Sequence, residues 1–264
     1  MKTWMKWLLI AAGCLAAAGL LLGGLGWFLG AGLTGAAPAA EEISHAGPVQ
    51  AQDRYAISPE GIRSLEVEWV SGRILVEPHD GDQILLEERS SGEIREKDRL
   101  EFAVDGDTLE IRYWKDHRFR FDFGDFGGKE LRILVPRSLA EGLEEISIEN
   151  VSSDIHLSGL TAGELEVETV SGEVTGLDLT LGQVELESVS GDLSCQLTAC
   201  PAELKVKTVS GDAELILPED SRFSVNMKSV SGDVTSEIAY TAPGTGSSFQ
   251  LESISGDLTI RAAK

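Results

Sequence analysis

Aromatic side chains are scarce in this chain of 264 residues, with 8 Phe, 5 Trp and 3 Tyr, while glycine is frequent at 29 residues. That balance argues against long helices and suits many turns and many short strands. Cysteine is rarer still. Cys14 lies in the apolar N-terminus, so Cys195 and Cys200 are the one pair available for a disulfide. A disulfide between them and two separate thiols both remain open, and a Cys-x₄-Cys pair alone makes no metal site. Cys195 shares parity with Leu193 and Leu197, so it points inward as a small apolar group. The four histidines, His45, His79, His117 and His156, are scattered and match no ligand spacing. Basic side chains number 22 against 44 acidic ones, a formal net charge of −22. Residues 1–40 carry only Lys2 and Lys6, so the remainder stands at −24. Such a domain repels phosphate backbones and anionic headgroups, which argues against nucleic-acid binding. Cations, basic proteins or neutral glycans remain as partners, and the acid also keeps the protein soluble.

One long apolar run is present. Trp7 to Leu29 is 23 residues without a charge, enough to cross a hydrocarbon core of about 30 Å as a helix. Lys2 and Lys6 precede it and Glu41 and Glu42 follow, so the N-terminus stays inside and the rest is extracytoplasmic. Gly19-x-x-x-Gly23 and Gly26-x-x-x-Gly30 are spacings that can pack a helix pair. Two alternatives concern processing. Ala37-Pro38-Ala39 resembles a signal-peptidase site, and Ala11-Ala12-Gly13-Cys14 loosely resembles a lipoprotein box. The expected organisation is a cytoplasmic stub (1–6), a transmembrane helix (7–29), a flexible linker (30–58), N-terminal β coils or a cap (59–140) and a regular repeat region (141–264).

The repeats decide the fold class. Val170-Ser171-Gly172-Glu173, Val189-Ser190-Gly191-Asp192, Val209-Ser210-Gly211-Asp212, Val230-Ser231-Gly232-Asp233 and Ile254-Ser255-Gly256-Asp257 repeat one phrase. A degenerate copy, Val151-Ser152-Ser153-Asp154, precedes them, and the successive spacings are 19, 19, 20, 21 and 24 residues. A remote copy, Val70-Ser71-Gly72-Arg73, lies 81 residues before Val151. Each phrase follows a period-two run, such as Leu165 and Val167 between Glu164, Glu166 and Glu168, or Leu204 and Val206 beside Lys205 and Lys207. Period two means a strand with one face buried. A unit of about 20 residues cannot bury its face alone, so the units stack. The expectation is an all-β, parallel β-solenoid (β-helix-like) of about 20-residue coils, preceded by one transmembrane helix. A β-sandwich is the rival, but it has no need for matching corners. Ser-Gly reads as the corner, the Ser hydroxyl bonding the turn and the preceding Val or Ile filling its inside. Ser64–Trp69, Ile84–Glu88, Thr108–Trp114 and Glu130–Val135 read as strands of the less regular first half, and Asp80-Gly81-Asp82 and Asp105-Gly106-Asp107 as hairpin turns.

Little of this points to chemistry. The acids after the corners, Glu173, Asp192, Asp212, Asp233 and Asp257, form a column in stacked coils. Like charges about 5 Å apart repel by about 1–3 kcal/mol. Two readings offset this: turn amides and water satisfy each carboxylate, or Ca²⁺ bridges adjacent coils. The Gly-Gly-x-Gly-x-Asp phrase of calcium-binding β-rolls is missing. The five equivalent serines stand beside no fixed base, so they are turn residues and not nucleophiles. Arg118–Gly128, with Phe119, Phe121, Phe123 and Phe126, reads as a contact loop for a partner, glycan or membrane surface, or as a plug for the solenoid end.

These phrases resemble the bacterial adhesin-like DUF4097 family. The preamble agrees: Leu65-Glu66-Val67 leading to Val70-Ser71-Gly72, then Asp80-Gly81-Asp82, then Leu131-Arg132-Ile133-Leu134-Val135-Pro136. The resemblance covers residues 60–262, with Ser153 departing where the pattern has Gly. It implies a β-solenoid, often membrane-tethered and sometimes near envelope stress-response systems, with no catalytic residues and no cofactor. Three functions follow as expectations: a non-enzymatic, membrane-anchored adhesin-like or envelope structural module; a regulatory accessory of an envelope stress-response system; and, against the repetitive columns, a polysaccharide-acting β-helix enzyme.

Overall fold

The structure is a computed structural model, and it describes residues 50–92, 94, 96–113, 128–242 and 244–263. The apolar run, the linker up to residue 49 and the four Phe of the Arg118–Gly128 segment lie outside the described residues. Among those described, no helix is long and apolar enough to cross a membrane.

Sixteen strands form one hydrogen-bonded system. In order they are β1 (Gln50–Ile57), β2 (Ser64–His79), β3 (Ile84–Ser90), β4 (Glu101–Asp105), β5 (Thr108–Arg112), β6 (Lys129–Pro136), β7 (Leu143–Ser158), β8 (Thr161–Ser171), β9 (Val174–Ser188), β10 (Leu193–Leu197), β11 (Glu203–Thr208), β12 (Ala213–Leu217), β13 (Phe223–Ser229), β14 (Val234–Ser236), β15 (Ser247–Ser253) and β16 (Leu258–Ala262). A single helical turn, Arg137–Ala140, follows β6. The strands stack as two parallel ladders. The first runs through β5, the front of β2, the front of β7, β8, the back of β9, β11, β15 and β13. The second runs through β6, the back of β2, the back of β7, the front of β9, β10, β12, β16 and β14. One aliphatic core lies between them.

The corners explain how one strand serves both ladders. Buried positions alternate as Ile146, Ile148 and Asn150, then step by three to Ser153, and alternate again through Ile155 and Leu157. The same step separates Ser188 from Gly191 and Thr208 from Gly211. A three-residue step turns the chain so that both arms face the same core. Glycine is needed there because coils touch backbone to backbone. A Cβ on Gly191 would stand 2.0 Å from the carbonyl oxygen of Gly172, and one on Gly211 2.2 Å from that of Gly191. Ser153, where the phrase lacks Gly, is buried, yet β7 keeps register with β2 before it and with β8 and β9 after it.

Two expectations about the corner are corrected. The Val of the phrase faces outward, Val170 being 44% exposed and Val230 80%. The inside belongs to the residue two before the Ser: Asn150, Thr169, Ser188, Thr208 and Ser253 are all buried. These side chains, not the Ser of the phrase, satisfy the turn. Gly191 N–H donates to Ser188 Oγ at 2.8 Å and Gly211 N–H to Thr208 Oγ1 at 2.9 Å. Ser253 Oγ donates to the Gly256 carbonyl at 2.9 Å. A buried corner carbonyl or amide must find a partner, and a short hydroxyl reaches it where Val cannot.

The coils also do not stack in chain order. β15 and β16 insert between β11–β12 and β13–β14. The inserted coil is the more deeply buried one. Phe249, Leu251, Leu258 and Ile260 are all buried, whereas Val225, Met227 and Val234 of the end coil are only partly so. Phe223 and Phe249 stack across the two coils with centroids 4.4 Å apart.

The first half is an antiparallel cap. β3 pairs antiparallel with β6 and with β1, and β4 pairs antiparallel with β5. Gly106 turns the β4–β5 hairpin with φ 64°. The Asp80-Gly81-Asp82 turn is not a hairpin between partners, because β6 lies between β2 and β3. Strands stand at the four places expected in this half, the one from Thr108 running to Arg112, with Trp114 outside the described residues.

Gly191→Ala should destabilise the protein by more than about 2 kcal/mol, because the new methyl forces two coils apart. Gly142→Ala, where nothing lies within 4 Å of the added Cβ, should change stability by less than about 0.5 kcal/mol. Thermal or urea unfolding measures both, and equal effects would remove the close-approach account.

Candidate functional site

The post-corner acids lie in one exposed column that follows the spatial order of the coils. Four of these acids are tied to a neighbouring coil by their backbone amides. Glu173 N–H donates to Asp154 Oδ1 at 3.1 Å, Asp212 N–H to Asp192 Oδ1 at 2.9 Å, Asp257 N–H to Asp212 Oδ1 at 2.8 Å and Asp233 N–H to Asp257 Oδ1 at 2.8 Å. The carboxylates of Asp154, Asp192, Asp212 and Asp257 thus accept amides, from the neighbouring coil and not from their own turn, whereas Glu173 accepts the Thr175 hydroxyl at 3.2 Å. Among the described residues no three His, Cys, Asp or Glu side chains gather with the geometry to hold a metal ion. Ser190, Ser210, Ser231 and Ser255 are exposed, and Ser171 Oγ donates to the Val151 carbonyl at 3.3 Å. Among the described residues, His79 bonds its own loop, its Nε2 to the Gln83 carbonyl and its Nδ1 accepting the Gly81 amide.

The outer side of the first ladder carries a second acidic array. Register places Glu68, Glu149, Glu168 and Glu187 on four successive strands. Cations close the row at both ends. Arg112 Nε lies 3.6 Å from Glu68, and Lys207 Nζ lies 2.5 Å from Glu187. Lys205 bridges Glu185 and Glu187. Burial opposes ionisation of Glu187, but hydrogen bonds from Lys207 and its neighbours outweigh it and hold the carboxyl at about 2. Glu185 is pushed up, by burial first and by its neighbour Glu187, against the pull of Lys205. The repulsion of stacked like charges is offset locally by lysines on the next coil.

A buried ion pair at the cap was invisible in the sequence. Lys129 and Glu88 are 4% and 0% exposed, and Lys129 Nζ donates to Glu88 Oε1 at 2.6 Å. The ammonium also donates to the carbonyls of Asp98 at 2.7 Å and Tyr113 at 2.6 Å, so all three N–H bonds are used. It sits 3.9 Å from the Tyr113 ring centroid and 5.0 Å from that of Trp69. Glu88 accepts the Leu100 amide on both oxygens. Burial draws the Lys129 ammonium below the ordinary lysine range, and its bond to Glu88 pulls the other way. A lysine with every proton committed has no lone pair to offer a substrate, so this cluster fastens β3, β5 and β6 to the stack.

Cys195 and Cys200 are both free thiols. Cys195 is buried, and burial pushes its thiol up to about 12. Cys200 is half-buried, with Sγ 3.5 Å from Ser247 Oγ.

Two measurements follow. Lys129→Met leaves Glu88 buried without its cation and should cost about 3–5 kcal/mol in a urea titration. In a Cys14→Ser background, a disulfide-exchange reagent should label Cys200 in the native protein and Cys195 only after unfolding; rapid native labelling of both would contradict the burial.

The Toastrack DUF4097 family model matches residues 62–197 and 177–260, which takes in β2 through most of β16. The crystal structure of a candidate cell adhesion protein from Clostridium sporogenes superimposes with a TM-score of 0.50 at 13% identity, covering 82% of this chain and 100% of that one. A candidate adhesin from Bacteroides fragilis gives 0.49 at 13% identity, over 82% and 98%. No curated protein matches the chain. At 13% identity the Clostridium sporogenes structure shares the fold. With the family model spanning the cap, the corners and the whole stack, the chain belongs to the Toastrack DUF4097 family.

Proposed function

We propose that this chain is a non-enzymatic, adhesin-like interaction module, anchored by residues 7–29 in the bacterial cytoplasmic membrane with its β stack on the extracytoplasmic side. The carrying observation is the shape of the stack's chemistry. Its outward groups recur from coil to coil and are already bonded to their neighbours, which suits display over a long rigid face and gives no single coil a reactive constellation. The likeness to a candidate cell adhesion protein supports the same class.

Membranes washed with alkaline carbonate should retain the chain, and protease added outside intact spheroplasts should digest residues beyond 41. Release by carbonate would sink the anchor. Exchanging residues 7–29 for an unrelated span should leave cell-surface attachment intact. If the exchange instead abolishes an envelope-stress response while attachment is unaffected in its absence, the chain is a regulatory accessory.

A further inference from the structure

The two ends of the stack differ. At the capped end β4 is the edge of the first ladder, and it carries Glu101 and Asp105 at its two ends. Charged edges deter strand addition. At the other end β13 is the edge, and it is the one strand of the first ladder, among the described residues, with no carboxylate. Between Arg222 and Ser236 the charged side chains are Arg222, Lys228 and Asp233, so a chain of net charge −22 ends in a nearly neutral coil. That end also exposes apolar side chains, as β4 does with Phe102 and Val104. Val230 and Tyr240 are 80% and 57% exposed, and Val225, Met227 and Val234 are half-open.

The backbone of β13 is equally available. The Arg222 carbonyl accepts Ser247 N–H on the β15 side at 3.1 Å, and the Phe223 carbonyl accepts Thr241 N–H on the other side at 2.8 Å. Strand alternation then turns the amides and carbonyls of Val225 and Met227 away from β15. No strand among the described residues pairs with them.

We propose that this edge binds the same edge of a second copy, joining two stacks end to end about a two-fold axis. Antiparallel pairing centred on Asn226 places Val225 opposite the partner copy's Met227 and exchanges four backbone hydrogen bonds. It continues the apolar core across the junction and sets Lys228 opposite Ser224, so no like charges meet. Elsewhere the acidic surfaces of two copies repel each other. This names the partner for the interaction module proposed above, but its geometry does not depend on the anchor.

Asn226 is exposed and would lie across the axis from its own copy, in a non-hydrogen-bonded pair with Cα atoms about 4.5 Å apart, within disulfide range. In the full chain in detergent, with Cys14 and Cys200 replaced by Ser, Asn226→Cys should oxidise to a linked dimer. Ser224→Cys alone should not. Asn226→Asp should weaken the dimer about tenfold or more in sedimentation equilibrium by placing two carboxylates face to face. Equal cross-linking at 224 and 226 overturns the proposal, as does an unmodified chain that stays monomeric. A dimer insensitive to Asn226→Asp also overturns it and points to residues 1–49. So does an open series of larger oligomers, which points to pairing with the capped end. Failure of the anchor would show instead as a chain soluble without detergent, with the cross-linking unchanged.

Discussion

The stack depends on one contact: backbone against backbone at the corner, where a glycine of one coil lies under the carbonyl of the next. A Cβ at Gly172, Gly191, Gly211, Gly256 or Gly232 would come within 2.0–2.3 Å of an oxygen. Close approach there allows both ladders to keep register through the bend. It also brings the amides of Glu173, Asp212, Asp257 and Asp233 within reach of a neighbouring coil's carboxylate. The acidic column is thereby a consequence of the glycine column: once the corners touch, an acid at the next position is the side chain that caps the neighbour's amide.

The same contact sets how charge is managed. Carboxylates in register at strand spacing repel, and the protein meets this twice by different means. At the corners the partner is a backbone amide, which is neutral and does not titrate. On the first ladder the partners are lysines and an arginine on adjacent coils, as in Glu187 with Lys205 and Lys207. The first device is built into the repeat, whereas the second varies from coil to coil.

The period-two runs and the Ser-Gly-Asp phrases made the coils legible, since a half-buried strand and a glycine corner each leave a local mark. The orientation at the corner was less legible because the alternation slips there. Counting by twos from Ile148 carries Asn150 and Ser152 inward, whereas the fold leaves Ser152 exposed and puts Ser153 inward. The hydroxyls that fill the corner were read as part of the strand, and the outward Val as part of the core. Coil order left only a faint trace, the longer spacings of 21 and 24 residues, because every corner offers its neighbours the same chemistry. The pairing of Lys129 with Glu88 spans 41 residues and carries no motif, so only the folded cap reveals it.

The inserted C-terminal coil has a consequence for the order of assembly. A solenoid that stacks in chain order can add each coil as it leaves the ribosome. Here growth can proceed only through β12. The coil made next, β13 with β14, has no native neighbour until residues 247–262 arrive and settle between it and the stack. Residues 247–262 are therefore a keystone: without them the stack loses its penultimate course, leaving the outermost one with nothing to stand on.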